Sequence, residues 1–179
     1  LPVELVQAAR QACDRHGALL IFDEVQCGVG RCGAFTAAEA LGVTPDLLTL
    51  AKGLASGLPI SALLTTEAVA AQVHQGDLGS TFGGGPVPCA AALATLAVIE
   101  EEQLIKNAIT VGEQLRQGAL GLGNGRVAAV QGRGLLLGLR LRRPAVEVQT
   151  ALLAQRILTG TSSDPQVLRL MPPLSFSRA

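Results

Sequence analysis

Asp23 and Lys52 are the residues of this 179-residue chain whose types and settings best suit chemistry. Each follows an apolar run: Ala18 to Phe22 (ALLIF) leads into Asp23-Glu24, and Leu47 to Ala51 (LLTLA) leads into Lys52. Uninterrupted apolar runs of this kind suit strands buried on both faces of a parallel sheet. The C-terminal ends of such strands are where an open α/β sheet gathers its ligand site. Lysine is scarce, since Lys52 and Lys106 are the only lysines among the fourteen Lys and Arg. Lys52 lies in Leu-Ala-Lys-Gly-Leu-Ala-Ser-Gly, an apolar, glycine-rich setting. Desolvation there would favour the neutral amine that forms Schiff bases. A carboxylate held beneath a pyridine ring would keep the ring nitrogen protonated and maintain an electron sink, and Asp23 is placed for that. Composition and position alone leave a second reading open, with Lys52 a snorkelling lysine and Asp23 a helix-cap or loop acid.

Ser80-Thr81-Phe82-Gly83-Gly84-Gly85-Pro86 adds hydroxyls and exposed backbone N–H groups at the start of a helix. That makes an anion or phosphate cup, although most such loops are simply helix entries. Two look-alikes are weaker. ALLIF followed by Asp23-Glu24 has the shape of a Walker B strand, but no GxxxxGK[ST] loop occurs in the sequence. Gly28-x-Gly30-x-x-Gly33 is a literal GxGxxG, yet residues 23–27 separate it from its strand, and Asp46 precedes the next strand instead of closing it. A dinucleotide fold needs the opposite in both respects.

The elements that must position these residues are legible in outline. Val3, Val6, Ala9 and Cys13 predict a helix over residues 3–16 that stops at Gly17. A short helix over Thr36 to Leu41 is predicted between the two apolar runs, and Ile60 to Leu64 reads as a third strand. Helix, strand, helix, strand, strand is the order of an α/β fold with a largely parallel sheet. Pro86 opens a long helical region, and a second stripe runs through Leu104, Ala108, Val111 and Leu115. Gly118, Gly121, Gly123 and Gly125 then mark the expected boundary between a domain over 1–120 and a smaller one over 121–179. Strands at Val127 to Val130, Leu135 to Leu141 and Val167 to Met171, with a helix near Ala145 to Leu158, complete the smaller domain.

Composition excludes several functions. Fourteen Lys and Arg balance fourteen Asp and Glu, and Arg140, Arg142 and Arg143 are the longest basic cluster, so no nucleic-acid partner is expected. Aromatics are 2% of the chain, too few for stacking on bases. The two histidines, His16 and His74, and the four cysteines, Cys13, Cys27, Cys32 and Cys89, have no metal-site spacing. The cysteines read as reduced, buried thiols of a cytoplasmic protein. No apolar run approaches the ~18 residues of a membrane span, and the helical pattern that begins at once after Leu1-Pro2 leaves no signal peptide expected. The start without Met and the abrupt end at Ser175 to Ala179 are those expected of a fragment.

Taken together, Leu20-Ile21-Phe22-Asp23-Glu24-Val25-Gln26, Gly28-Val29-Gly30-Arg31, Thr44-Pro45-Asp46-Leu47 and Ala51-Lys52-Gly53 resemble the class III pyridoxal-phosphate aminotransferases. Acetylornithine and ornithine aminotransferases look most similar. The resemblance runs from Leu1 to about Leu174 and covers the later half of a family member. It implies a fold-type-I architecture: the later part of the large, mostly parallel-sheet domain, plus a truncated small α/β C-terminal domain.

By the same resemblance, Lys52 would form the internal aldimine with pyridoxal 5'-phosphate and shuttle a proton between the substrate α-carbon and cofactor C4′. Asp23 would pair with the pyridinium nitrogen, Val25 would pack on a ring face, and Gln26 would reach the ring hydroxyl. Thr81 matches a residue that contacts the cofactor phosphate of a neighbouring subunit, which implies a homodimer. Arg169, in Leu168-Arg169-Leu170-Met171-Pro172-Pro173-Leu174, matches an arginine that binds a substrate carboxylate; its other reading is a surface strand arginine. Gly132-Arg133-Gly134 matches a structural turn. Gly85 stands where many members have Asn, and Cys27 and Cys32 where Thr is common, but none of these changes removes a group given a chemical role above. The implied reaction carries an amino group from an acetylornithine- or ornithine-like donor to a 2-oxo acid such as 2-oxoglutarate, as in arginine biosynthesis. Rival readings are an aminomutase or decarboxylase of the same class, a non-catalytic remnant and, least favoured, a P-loop ATPase fragment.

Overall fold

The computed structural model describes residues 1–81, 83–122 and 125–177. Its contacts divide the chain into two compact units, one of Leu1–Val29 with Ala34–Glu102 and one of Gly30–Gly33 with Gln103–Ala179.

The first unit opens with α1 (Val3–His16), which buries Val6 and ends at Gly17. Gly17 has φ 62°, and its N–H caps the carbonyl of Cys13. Arg10 leaves α1 to donate to Asp46 at 2.7 Å, and Asp46 also accepts the Leu20 N–H at 2.7 Å. One carboxylate thus ties the helix to the chain entering the first strand. β1 (Ile21–Asp23) pairs in parallel with β2 (Leu47–Leu50), with Asp23 opposite Thr49. β3 (Ala62–Thr65) pairs antiparallel with β2, giving the order β1-β2-β3.

The sheet is therefore mixed, where a largely parallel one was expected. The link from β2 to β3 holds a 3₁₀ turn (Lys52–Ala55) and Ser56-Gly57-Leu58-Pro59, which is too short for the crossover a parallel pair requires. Nor are the apolar runs buried on both faces. Leu48 and Leu50 are buried, but Ile21 on the edge strand is 59% exposed and Leu63 on β3 is 54% exposed.

Three helices complete this unit. α2 (Ala37–Leu41) is capped by Thr36, whose hydroxyl accepts the Glu39 N–H, and stops at Gly42 as its sequence predicts. α3 (Glu67–Ala70) is capped the same way by Thr66, a short turn that the sequence pattern does not reveal. α4 (Pro86–Glu101) begins with the expected proline and packs against the 3₁₀ turn. There the Ser56 and Thr95 hydroxyls share a hydrogen bond of 2.9 Å.

The second unit contains α5 (Leu104–Leu120), β4 (Val127–Arg133), β5 (Leu136–Leu141), α6 (Ala145–Ala154), β6 (Gly160–Thr161) and β7 (Val167–Leu170). Its sheet is antiparallel throughout, in the order β4-β5-β7-β6. Leu139, Leu141, Ala145 and Leu168 form one core under α6, and Ala108, Val111 and Leu135 form another under α5. Contacts part at Glu102 and Gln103, before the glycine-rich link, because α5 packs on β4 and β5. Gly123 and Asn124 of that link lie outside the described residues. Arg31 donates to the carbonyls of Leu135 and Pro172, and burial pushes its guanidinium pKa down. The cysteines are in no disulfide, but they are less buried than expected: Cys13, Cys27 and Cys32 are half-buried and Cys89 is exposed.

Candidate functional site

Asp23 closes β1 and is exposed at the C-terminal end of the parallel pair. Its carboxylate is held from two directions. The Val25 N–H donates to Oδ1 at 3.1 Å, an Asx turn, and the Thr49 hydroxyl donates to the same oxygen at 3.2 Å from the adjacent strand. No described residue hydrogen-bonds to Oδ2. A carboxylate fixed through one oxygen and open at the other can accept a cationic N–H without losing its orientation.

The next residue points the other way. Glu24 is 2% exposed, and its carboxylate accepts the N–H groups of Ala37 and Ala38 at the start of α2. Alternation along the chain sends Asp23 outward and Glu24 inward. The Glu24 N–H meanwhile continues the ladder to the Thr49 carbonyl at 3.0 Å. Gly28 then passes so close that a Cβ would lie 2.6 Å from Leu50 Cδ2 and 2.9 Å from the Glu24 carbonyl. Val25 and Gln26 are half-buried in this turn beside Asp23.

Lys52 leaves the end of β2 in a left-handed conformation, φ 50°, that side chains rarely adopt. Its side chain is exposed, not desolvated as the sequence led us to expect. The reason is local: the turn gives the buried positions to Leu54 and Ala55. Lys52 and Asp23 thus lie at the C-terminal ends of two adjacent parallel strands.

Leu78, Gly79, Ser80, Thr81, Gly83, Gly84 and Gly85 line an open cavity of about 600 Å³, with Thr81 exposed. Phe82 lies outside the described residues. The helix start gives this cup less than expected. Pro86 and Pro88 have no N–H, and the Cys89 N–H is already bonded to the Gly85 carbonyl. The Ser80 and Thr81 hydroxyls and the loop amides remain as its donors.

Arg169 belongs to the second unit, on β7, and is half-buried between Gly138 on β5 and Gly160 on β6. Its guanidinium lies over Gly160, where a Cβ would come within 3.0 Å of Nε. Among the described residues, no group of His, Cys, Asp and Glu could hold a metal ion. No described helix is long and apolar enough to cross a membrane. The GxGxxG glycines open no helix, for the chain turns from Asp23 until α2 begins at Ala37.

Sequence reasoning missed two supporting residues, Thr49 and the inward Glu24. Thr49 had a signal, as the one polar residue in Leu47-Leu48-Thr49-Leu50; Glu24 was paired with Asp23 without its inward direction being seen.

A family profile described as aminotransferase class-III matches residues 1–179. The acetylornithine aminotransferase of Mycobacterium tuberculosis (strain ATCC 25618 / H37Rv) is 45% identical over 178 residues, 99% of this chain and 44% of the relative. The mitochondrial acetylornithine aminotransferase of Alnus glutinosa is 44% identical over 174 residues, 96% of this chain and 38% of the relative. The crystal structure of the acetylornithine aminotransferase from Elizabethkingia anophelis matches with a TM-score of 0.87 at 31% identity, over 98% of this chain and 48% of that one. The ornithine aminotransferase from Toxoplasma gondii ME49 matches with a TM-score of 0.83 at 32% identity, over 94% and 42%. The chain thus spans less than half the length of these relatives, and its architecture is that of the fold-type-I enzymes, whose class III members use pyridoxal phosphate. With the profile spanning all its residues, this chain belongs to the class-III aminotransferases.

Proposed function

We propose that this chain carries the lysine-bearing half of a transaminase site. In this reading an amino group passes from an acetylornithine- or ornithine-like donor to a 2-oxo acid such as 2-oxoglutarate, as arginine biosynthesis requires. The observation that carries it is Asp23 Oδ1 held by Val25 and Thr49, on the strand beside the one that delivers Lys52.

The donor set fits pyridoxal phosphate. With it bound, Asp23 would pair with the ring nitrogen, Lys52 would hold the reactive carbon, Val25 would pack on the ring and Gln26 would reach its hydroxyl. When bound, the cofactor supplies an electron sink for charge at the substrate α-carbon. Lys52 Nζ, on an exposed residue, would accept and return the α-proton. Asp23, oriented by Val25 and Thr49, would hold the ring proton in place. Arg169 would bind a substrate carboxylate, for which a guanidinium fork is the matching donor.

The remaining parts of the reading are a homodimer, a cytoplasmic setting, and a large PLP-binding domain over 1–120 followed by a small one over 121–179. Two features support the dimer. Thr81 is exposed on its loop, where it would reach a neighbouring subunit's cofactor phosphate. On α4, Val87 and Leu93 are 69% and 70% exposed, apolar side chains that a second copy would cover.

The test is reductive trapping: pyridoxal phosphate is added to the purified chain, followed by borohydride and peptide mapping. The amines available are Lys52, Lys106 and the terminus. We expect the label on Lys52 and its loss in Lys52→Ala. Equal labelling of Lys106 and the terminus, unchanged in Lys52→Ala, would overturn the reading.

A further inference from the structure

We propose that Thr49 is a positioning residue for Asp23, fixing its side-chain rotamer so that Oδ2 meets the cofactor ring nitrogen. The inference rests on the assignment of Asp23 made above.

Thr49 is out of pattern in its strand. β2 reads Leu47-Leu48-Thr49-Leu50, with Leu48 and Leu50 buried and Thr49 half-buried on the opposite face. On its other side β3 places Leu63, which is 54% exposed. A valine would suit such a position equally well by strand propensity and packing. What the hydroxyl adds is one bond, to Asp23 Oδ1 at 3.2 Å.

That bond is cross-strand, and its direction matters. Thr49 is the register partner of Asp23, so the two side chains leave the same face of the parallel pair. The Val25 N–H approaches Oδ1 from the turn that follows β1. With one donor the side chain could swing about that single contact; with two donors from different elements its rotamer is set. Oδ2 is left open as the acceptor, and a charge-assisted bond is strong only when its geometry is held.

Lys52 lies three residues beyond Thr49, where the 3₁₀ turn after β2 begins. One stretch of backbone therefore delivers the anchoring amine and also orients the carboxylate on the neighbouring strand. A shift of β2 along β1 would move both together.

The test compares wild type, Thr49→Val and Thr49→Ser, with thermal melting used to establish that each is folded. Without cofactor, three-bond couplings in isotopically labelled protein report the Asp23 χ1 rotamer. With cofactor, equilibrium dialysis reports the affinity for pyridoxal phosphate. We expect one Asp23 rotamer in wild type and Thr49→Ser, and rotamer averaging in Thr49→Val. We expect affinity about tenfold weaker in Thr49→Val, the size of one hydrogen bond to a charged group, and within about twofold of wild type in Thr49→Ser. A single Asp23 rotamer in Thr49→Val, or wild-type affinity in that variant, overturns the proposal. Failure of wild type to hold cofactor overturns the reading of the site instead, and the Asp23 rotamer then decides for or against Thr49.

Discussion

Glu24 Oε1 accepts the backbone N–H of Ala38 at 2.7 Å, fastening the end of β1 to the start of α2 across the turns between them. The other carboxylate oxygen takes the Ala37 N–H. Two orphan donors of the helix start are thus satisfied by a side chain thirteen and fourteen positions earlier. The connection also fixes the residue after Asp23, so the orientation of the site and the packing of the unit share one side chain.

Removing that carboxylate should be costly. Glu24→Ala would leave two N–H groups without their acceptor, each worth roughly 1–3 kcal/mol when buried. We expect a loss of about 2–4 kcal/mol in urea unfolding. Glu24→Gln keeps one acceptor oxygen but sets its NH₂ against the other N–H, so a loss of about half that size is expected. If Glu24→Ala unfolds at the wild-type midpoint, the fastening carries no stability.

Asp46 gives a prediction with a definite sign in pH. The Leu20 N–H, then the Arg10 guanidinium, hold its carboxyl below the usual carboxylate range. A carboxyl depressed in the folded state binds fewer protons there than in the unfolded state. Its contribution is therefore complete above the ordinary Asp pKa and is lost as pH falls through the lower, folded value. Asp46→Asn should lower stability at neutral pH and flatten the acid side of the profile, so that variant and wild type converge as pH falls. Thermal melts from pH 3 to 7 would check this, and an unaltered acid slope would refute it.

Backbone strain at Lys52 makes another variant informative. At φ 50° a side chain is disfavoured by roughly 1 kcal/mol relative to glycine. Lys52→Gly should raise stability by about that much while abolishing reductive trapping by pyridoxal phosphate. Lys52→Ala should abolish trapping without the gain. Equal melting temperatures for the two variants would show that the left-handed turn stores no strain.

How much of this was legible beforehand depended on the range of the interaction. α1, α2 and α4 are written in local signals: Gly17 and Gly42 as stops, Thr36 as a cap and Pro86 as an opening. Asp23 and Lys52 were legible because apolar runs end at them. The exposure of Ile21 and Leu63 was not, because an apolar run shows the burial a residue is suited to and not what covers it. Strand direction was equally hidden, for only the length of the link from Leu50 to Ala62 decides that β3 turns back. The contacts of Thr49 and Glu24 join residues far apart in sequence, and no local pattern encodes them.

Gly112 supplies the last prediction, because the second unit closes around it. It lies within α5, where glycine costs about 1 kcal/mol relative to alanine. Propensity alone would make Gly112→Ala stabilising. Its neighbour reverses the sign. A Cβ there would stand 2.2 Å from the carbonyl oxygen of Gly134 and 2.6 Å from its carbonyl carbon, which is backbone and cannot swing aside. Gly134 itself has φ 51° in the turn between β4 and β5, and a Cβ on it would lie 2.7 Å from the Arg31 carbonyl. Helix, hairpin and the Gly30–Gly33 segment thus meet at backbone distance, and α5 must move outward to admit a methyl group. Overpacking of this kind typically costs about 1–3 kcal/mol, so Gly112→Ala should lower stability by at least about 1 kcal/mol despite its better helix propensity. A melting temperature above wild type would show that α5 does not approach the hairpin so closely.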